Sequence, residues 1–218
     1  MPTNAGKLSG LNASGVRAFP LLSAGSVGVI VGAFGGHPRG IRTQEWPRCA
    51  VCGAAMCHMG QIDSGPWIDL GGYKRLTLFI CHATGGRCED WESRSGANRA
   101  VLQKERDENL SDGPNTVRVY RRVPLTLGEP VDEVESVSGA QMAGSASTVG
   151  EVLRVDKLGG RPFWLGADAT LHSEHGPMRL ALQMTTSIVA FDITAGGMAY
   201  VFVDPHDPGV ARMLWQST

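Results

Sequence analysis

Several residue types and signals are scarce in this sequence. Lysine occurs four times in 218 residues, against 16 arginines. Basic and acidic residues nearly cancel, 20 against 21, for a formal net charge of −1. That balance gives no overall pull toward nucleic acid or an anionic membrane. Aromatic residues make up only 6%. No apolar run reaches the roughly 20 residues that a membrane-spanning helix needs. The best candidate, residues 19–34 (FPLLSAGSVGVIVGAF), is interrupted by Pro20 and three glycines and runs into Gly35-Gly36-His37-Pro38. Only Lys7 and Arg17 flank it, loosely, so it reads as a buried strand pair or extended segment rather than a secretory leader. Cysteine is confined to one stretch, Cys49 to Cys88. Catalytic signatures are also missing: no G-x-S-x-G, no H-E-x-x-H, no G-x-x-x-x-G-K-[ST], and no G-x-G-x-x-G between a strand and a helix.

What is present points to a folded, turn-rich chain. Apolar residues make up 42%, enough for a sizeable core. There are 29 glycines, close to twice the usual share of about 7%, with no collagen period, so they belong in turns and bulges. The expectation is a mainly β protein. Residues 1–18 read as a mobile polar lead, 19–126 as a first repeat, 127–150 as a Gly/Ser/Glu-rich linker, and 151–218 as a second repeat packed with the first as one compact unit. Leu76–Cys81 reads as a strand, and Ala97–Leu102 as an apolar stretch that a short helix over Ala97–Leu110 would also fit.

The two repeats are read from matched residues in common order. Gly35-Gly36-His37-Pro38 matches Gly159-Gly160-Arg161-Pro162. Met56 and Gln61 match Met178 and Gln183. The stretch Asp69–Cys81 aligns with Asp192–Asp204, and Trp91 falls within one residue of the place of Trp215. Two pseudo-symmetric half-domains follow, each with a strand, a Gly-rich turn and a strand. Gln61 and Gln183 are expected to satisfy buried backbone groups near the repeat interface, with a polar groove lining as the alternative.

The cysteines carry the sharpest chemistry. Cys49-Ala-Val-Cys52-Gly53 is a C-x2-C knuckle whose turn aims backbone N–H groups at thiolates, with glycine supplying the positive φ. Cys81 and Cys88 form a second pair around Gly85-Gly86, and a hairpin over the 28 residues between the pairs would bring all four together. Four thiolates around Zn2+ make a closed, structural site without an open position for water. Four free thiols in strands and loops are the bland alternative. Cys57 is read as a partly buried thiol without chemistry. His58 and His82 are possible replacement ligands, but His82, beside Cys81, faces the other side of the strand. The matched second half offers His172, His175, Asp204 and His206 instead of cysteines. They read as surface loop residues, with a second metal site as the alternative.

Trp46-Pro-x-Cys49-x-x-Cys52-Gly-x-x-Met56, Gln61-Ile62-Asp63, Leu76-x-Leu-Phe79-x-Cys81, Cys88-x-x-Trp91, Lys157-Leu-Gly-Gly-x-Pro-x-Trp164, Tyr200-Val-Phe-Val and Leu214-Trp-Gln together resemble the bacterial YwqG-like family. That family is distantly similar to the programmed cell death protein 2 proteins. The resemblance spans Gly35–Leu102 and Val152–Ser217. It implies a duplicated strand-rich fold with zinc-ribbon-like knuckles, and zinc held by Cys49, Cys52, Cys81 and Cys88, the same four that spacing selects. It also implies a chaperone-like or toxin-immunity-like role. The chain departs from the family at His172, His175 and Asp204, where cysteines are frequent.

The functional expectation is a non-enzymatic, cytoplasmic zinc-binding protein with one structural Zn2+. It binds a protein partner through a groove or sheet edge at the repeat junction, as a monomer or weak dimer, with neither nucleic acid nor membrane as partner. A hydrolase working in the cleft between repeats, or a purely structural module of a larger assembly, are the alternatives.

Overall fold

The structure is a computed structural model, describing residues 16–23, 28–83, 88–133, 154–189, 191 and 196–217. Among the described residues, thirteen strands and a single 3-10 turn at Thr43–Glu45 make up the regular structure. Eleven strands form one sheet in the order β13-β12-β11-β8-β1-β6-β2-β3-β4-β5, with β7 (Val131–Glu133) paired to β1 off this path. On one side of its centre lie β2 (Ile30–Phe34), β3 (Cys57–Asp63), β4 (Arg75–Ile80) and β5 (Asn98–Gln103). On the other lie β8 (Lys157–Gly159), β11 (Arg179–Met184), β12 (Met198–Val203) and β13 (Ala211–Gln216). Between them run β1 (Val16–Ser23) and β6 (Val123–Leu127). A separate ribbon joins β9 (His172–Ser173) to β10 (Gly176–Pro177).

The two outer sets share register, residue for residue. Cys57 faces Ile80 and Arg179 faces Val203; Gln61 faces Thr77 and Gln183 faces Tyr200. Both hairpins carry an irregularity at the same place, between His58 and Gly60 and between Leu180 and Leu182. The outer pairs agree too, with Arg75 opposite Gln103 and Met198 opposite Gln216. The Gly-Gly turns that leave β2 and β8 are alike, with φ of 65° and 71° at Gly35 and Gly36, and 64° and 72° at Gly159 and Gly160. Left-handed backbone at two successive positions is open to glycine and strained for other residues, which is why the pair recurs in the sequence.

The tenth strand meets the first. The two end strands β5 and β13 pack against each other, and the Trp215 N–H donates to the Trp91 carbonyl at 3.2 Å across the seam. The sheet thereby nearly closes on itself, which removes most of its edge. Its interior is one core drawn from both halves, including Phe34, Met59, Leu76 and Leu78 from the first and Leu158, Leu182, Met184 and Val201 from the second. Outside, each half carries its own cap. Trp46, Met56 and Phe79 lie with Cys49, Cys81 and Cys88 on the first. Phe163, Trp164, Met178, Tyr200 and Phe202 cover the second.

Several expectations need correction. Val16–Ala18, assigned to the polar lead, open strand β1, and Ala18 is fully buried. Residues 1–15 lie outside the described set. Residues 19–34 do contain two strands, but β6 lies between them, so they are not a pair. Where a helix over Ala97–Leu110 was open, Asn98–Gln103 is strand, because it pairs along the β4 edge. The proposed linker 127–150 begins inside structure: Leu127 ends β6, and Val131–Glu133 is strand β7, paired with Val16–Ala18. Residues 134–150 lie outside the described set. Trp91 and Trp215 are not counterparts: Trp215 faces Ala199 as Leu102 faces Leu76, so Leu102 holds the matching place. The two indoles instead touch, edge to face at 6.1 Å.

A four-cysteine candidate metal centre

The β3–β4 hairpin brings the two cysteine pairs to one place. Cys49 and Cys52 lie on the turn that leads into β3, and Cys81 directly follows β4. In the knuckle, the Cys49 N–H donates to the Ala54 carbonyl and the Gly53 N–H to the Cys49 carbonyl, both at 2.9 Å. Gly53 sits at φ 73°, as the knuckle requires. Across the hairpin, the Cys81 N–H donates to the Ala97 carbonyl at 2.8 Å, holding the segment that carries Cys88 against β4.

The four sulfurs of Cys49, Cys52, Cys81 and Cys88 all lie within 4.8 Å of one another, and Cys52 Sγ is 3.6 Å from Cys81 Sγ. Tetrahedral Zn–S bonds of about 2.3 Å would set sulfurs about 3.8 Å apart, so the cluster has the dimensions of a closed four-thiolate site. None of the four is in a disulfide. Three are buried and Cys52 is exposed. A hydrogen bond from the Ala54 backbone, with smaller contributions from the neighbouring cysteines, holds the Cys52 thiol below its ordinary pKa. Burial pushes Cys81 up, and the adjacent thiols add to that. Gathering thiolates in one largely buried pocket is costly unless a cation offsets their charge. An all-sulfur tetrahedral donor set suits a soft metal ion. The group could hold a metal ion; among the described residues it is the one cluster of at least three potential ligands.

The histidines do other work. His58 is buried, with Nδ1 2.9 Å from the Gly36 carbonyl, and desolvation lowers its pKa to about 4. His82 bonds through Nδ1 to the Tyr120 hydroxyl at 2.9 Å. Cys57 is buried in the shared core, and burial raises its pKa.

In the second half the His175 and His206 rings meet edge to face at 6.0 Å, but among the described residues the equivalents form no second cluster of potential ligands. Arg48 bridges Ala55, seven positions on, but His172 pairs with Pro177, five positions on. The second hairpin is thus two residues shorter, and the tip that bears the knuckle in the first half is gone. His172 and His175 are exposed. Asp204, at the place of Cys81, caps a turn, accepting the His206 and Asp207 N–H groups at 2.8 and 3.2 Å. Ser173, His206 and Asp207 hold its carboxyl below the usual range. The second cap is instead apolar, with Trp164 stacked on Phe202 at 6.0 Å. Trp46 meets Phe79, at the matching place, at 5.4 Å.

Gln61 and Gln183 do satisfy backbone groups. Gln61 Oε1 accepts the Arg39 N–H and Gln183 Oε1 the Phe163 N–H, both at 2.8 Å and both three residues after the second glycine of the turn. A further pair was invisible in the sequence matches. Gln103 donates to the Gly40 carbonyl at 2.9 Å, and Gln216 accepts the Leu165 and Gly166 N–H groups at 3.1 Å. Both pairs staple the segment after the Gly-Gly turn to the sheet. Another group without a sequence signal is the buried ion pair of Lys157 and Glu133, 2.6 Å apart.

Among the described residues no helix is long and apolar enough to cross a membrane. No family model matches the chain, and no curated protein matches it.

Proposed function

We propose that this chain is a non-enzymatic protein-binding module of the YwqG-like type, stabilised by one structural Zn2+ at Cys49, Cys52, Cys81 and Cys88. The observation that carries the metal reading is the gathering of four sulfurs within 4.8 Å of one another on two segments joined by the β3–β4 hairpin. A closed set of four protein ligands leaves no position for substrate water, which favours a structural over a hydrolytic role. The matched register of the two halves supports an internal duplication in which only the first copy kept its knuckle.

For the partner, the seam between the halves is the favoured place. A groove of about 440 Å3 lies there, lined by Trp91, Gly166, Trp215, Gln216 and Ser217. Trp91 is 40% exposed, and aromatic residues of this kind anchor protein interfaces. A chaperone-like or immunity-like role follows from the family resemblance. Elemental analysis of protein purified without added metal tests the first part. One zinc per chain, absent from Cys49→Ser, is expected; metal-free protein that melts like Cys49→Ser refutes it. Trp91→Ala with unchanged zinc content tests the second, by loss of the co-purifying protein that wild type retains.

A further inference from the structure

The five thiols differ in access. Cys49, Cys81 and Cys88 are buried in the cap of the first half, and Cys57 is buried in the shared core. Cys52 alone is exposed. Its neighbours stand in solvent with it: Val51 is 57% exposed, and a side chain added at Gly53 would meet no atom within 4 Å. Buried structural thiols are inert, whereas an accessible thiolate is open to oxidants. A thiol that coordinates a metal ion is deprotonated, so Cys52 in a loaded site is a thiolate without further activation.

A second thiol is placed to trap the oxidised form. Cys81 Sγ lies 3.6 Å from Cys52 Sγ. The sulfurs of a disulfide are about 2.0 Å apart, so an approach of about 1.6 Å would join them. Cys81 directly follows β4, and its N–H is tied to the Ala97 carbonyl at 2.8 Å. Cys52 sits on the open turn, so the movement falls to Cys52.

We propose that Cys52 is an oxidation site with Cys81 as its resolving partner, and that hydrogen peroxide converts the pair to a disulfide and so dismantles the metal centre. The Cys52 thiolate attacks one peroxide oxygen, the O–O bond breaks, and hydroxide leaves. The Cys81 thiolate then attacks the sulfur of the Cys52 sulfenic acid, the S–S bond forms, the S–O bond breaks, and a second hydroxide leaves. Two thiolates lose two electrons and peroxide gains them. Two of the four ligands are then spent, and a dithiol reductant restores them. Loss of the metal rests on the zinc reading above; the disulfide itself does not.

The test treats the full chain, as purified, with limiting hydrogen peroxide. Remaining thiols are alkylated and the links mapped by peptide mass spectrometry, while a chromogenic chelator reads released metal. A Cys52–Cys81 link is expected, with Cys49 and Cys88 alkylated, one metal ion released per link, and reversal by dithiothreitol. Cys52→His keeps a ligand but no thiol at the tip, and its remaining thiols should be lost at least about tenfold more slowly. Cys57→Ala should react like wild type. A link that joins other cysteines, a Cys52 left as thiol, a Cys52→His variant oxidised as fast as wild type, or a link that Cys57→Ala abolishes overturns the proposal. Metal content before oxidation reports on the zinc reading by itself. Metal-free protein refutes that reading, while the map still decides the disulfide.

Discussion

The Lys157–Glu133 pair offers a quantitative test of how the centre of the sheet is held. Both side chains are fully buried, and Lys157 Nζ lies 2.6 Å from Glu133 Oε1. Lys157 Nζ also donates to the Arg161 carbonyl, and Glu133 Oε2 accepts the Arg161 N–H, each at 2.6 Å. The three groups thus tie β7 to the turn after β8 (Lys157–Gly159). At an effective dielectric of about 20, unit charges 2.6 Å apart attract by about 6 kcal/mol. Desolvation costs several kcal/mol per ion, so the intact pair contributes little net stability. Breaking it is different, because one charge then stays buried without its partner. Lys157→Met is expected to cost about 3–5 kcal/mol. At about 2–4 °C per kcal/mol for a chain of this size, the melting midpoint falls by about 6–20 °C. The double variant Lys157→Met, Glu133→Gln keeps an acceptor for the Arg161 N–H without a buried charge, and should recover most of that loss. Urea and thermal unfolding of the wild type, both single variants and the double variant complete the cycle. A single variant within about 1 kcal/mol of wild type, or a double variant as unstable as the sum of the singles, refutes the reasoning.

Three other outcomes follow. If the four cysteines hold the proposed metal, a chelator should free the segment that ends at Trp91, raising hydrogen exchange at the Trp215 amide and changing tryptophan fluorescence; unaltered exchange at that amide would separate the cysteine site from the seam. Burial depresses the His58 pKa from 6.5 to about 4, so the unfolded chain gains a proton first and stability falls as pH drops from about 6.5 toward 4. His58→Leu, which copies Leu180 of the matching hairpin, should flatten that slope by up to about 3 kcal/mol, read as unfolding free energy against pH. Gln183→Leu strands the Phe163 N–H and the Val155 carbonyl, at about 1–3 kcal/mol for each group left unpaired, measured by urea unfolding.

The sequence on its own was enough for the β class and the four clustering cysteines, because each rests on local signals. Strands show in runs such as Leu76–Ile80. A knuckle needs C-x2-C-G over five residues. The Gly-Gly turns need left-handed backbone that little else supplies. The Gln61 and Gln183 assignments held for the same reason, since each residue recurs at a fixed distance from its turn. What failed was long-range. Trp91 and Trp215 looked like counterparts but are partners across a seam, and only closure of the sheet makes them meet. The supposed second knuckle looked aligned by spacing, yet the hydrogen-bond register shows its hairpin two residues short. Val131–Glu133 carries no strand signal and becomes strand because Val16–Ala18 offers it a partner. The buried pair of Lys157 with Glu133 joins residues 24 positions apart. Local propensity and turn chemistry are written within a few neighbouring residues. Desolvation, charge pairing and the shape of an enclosed space arise only when distant segments are packed together, and for this protein the tertiary structure alone decided them.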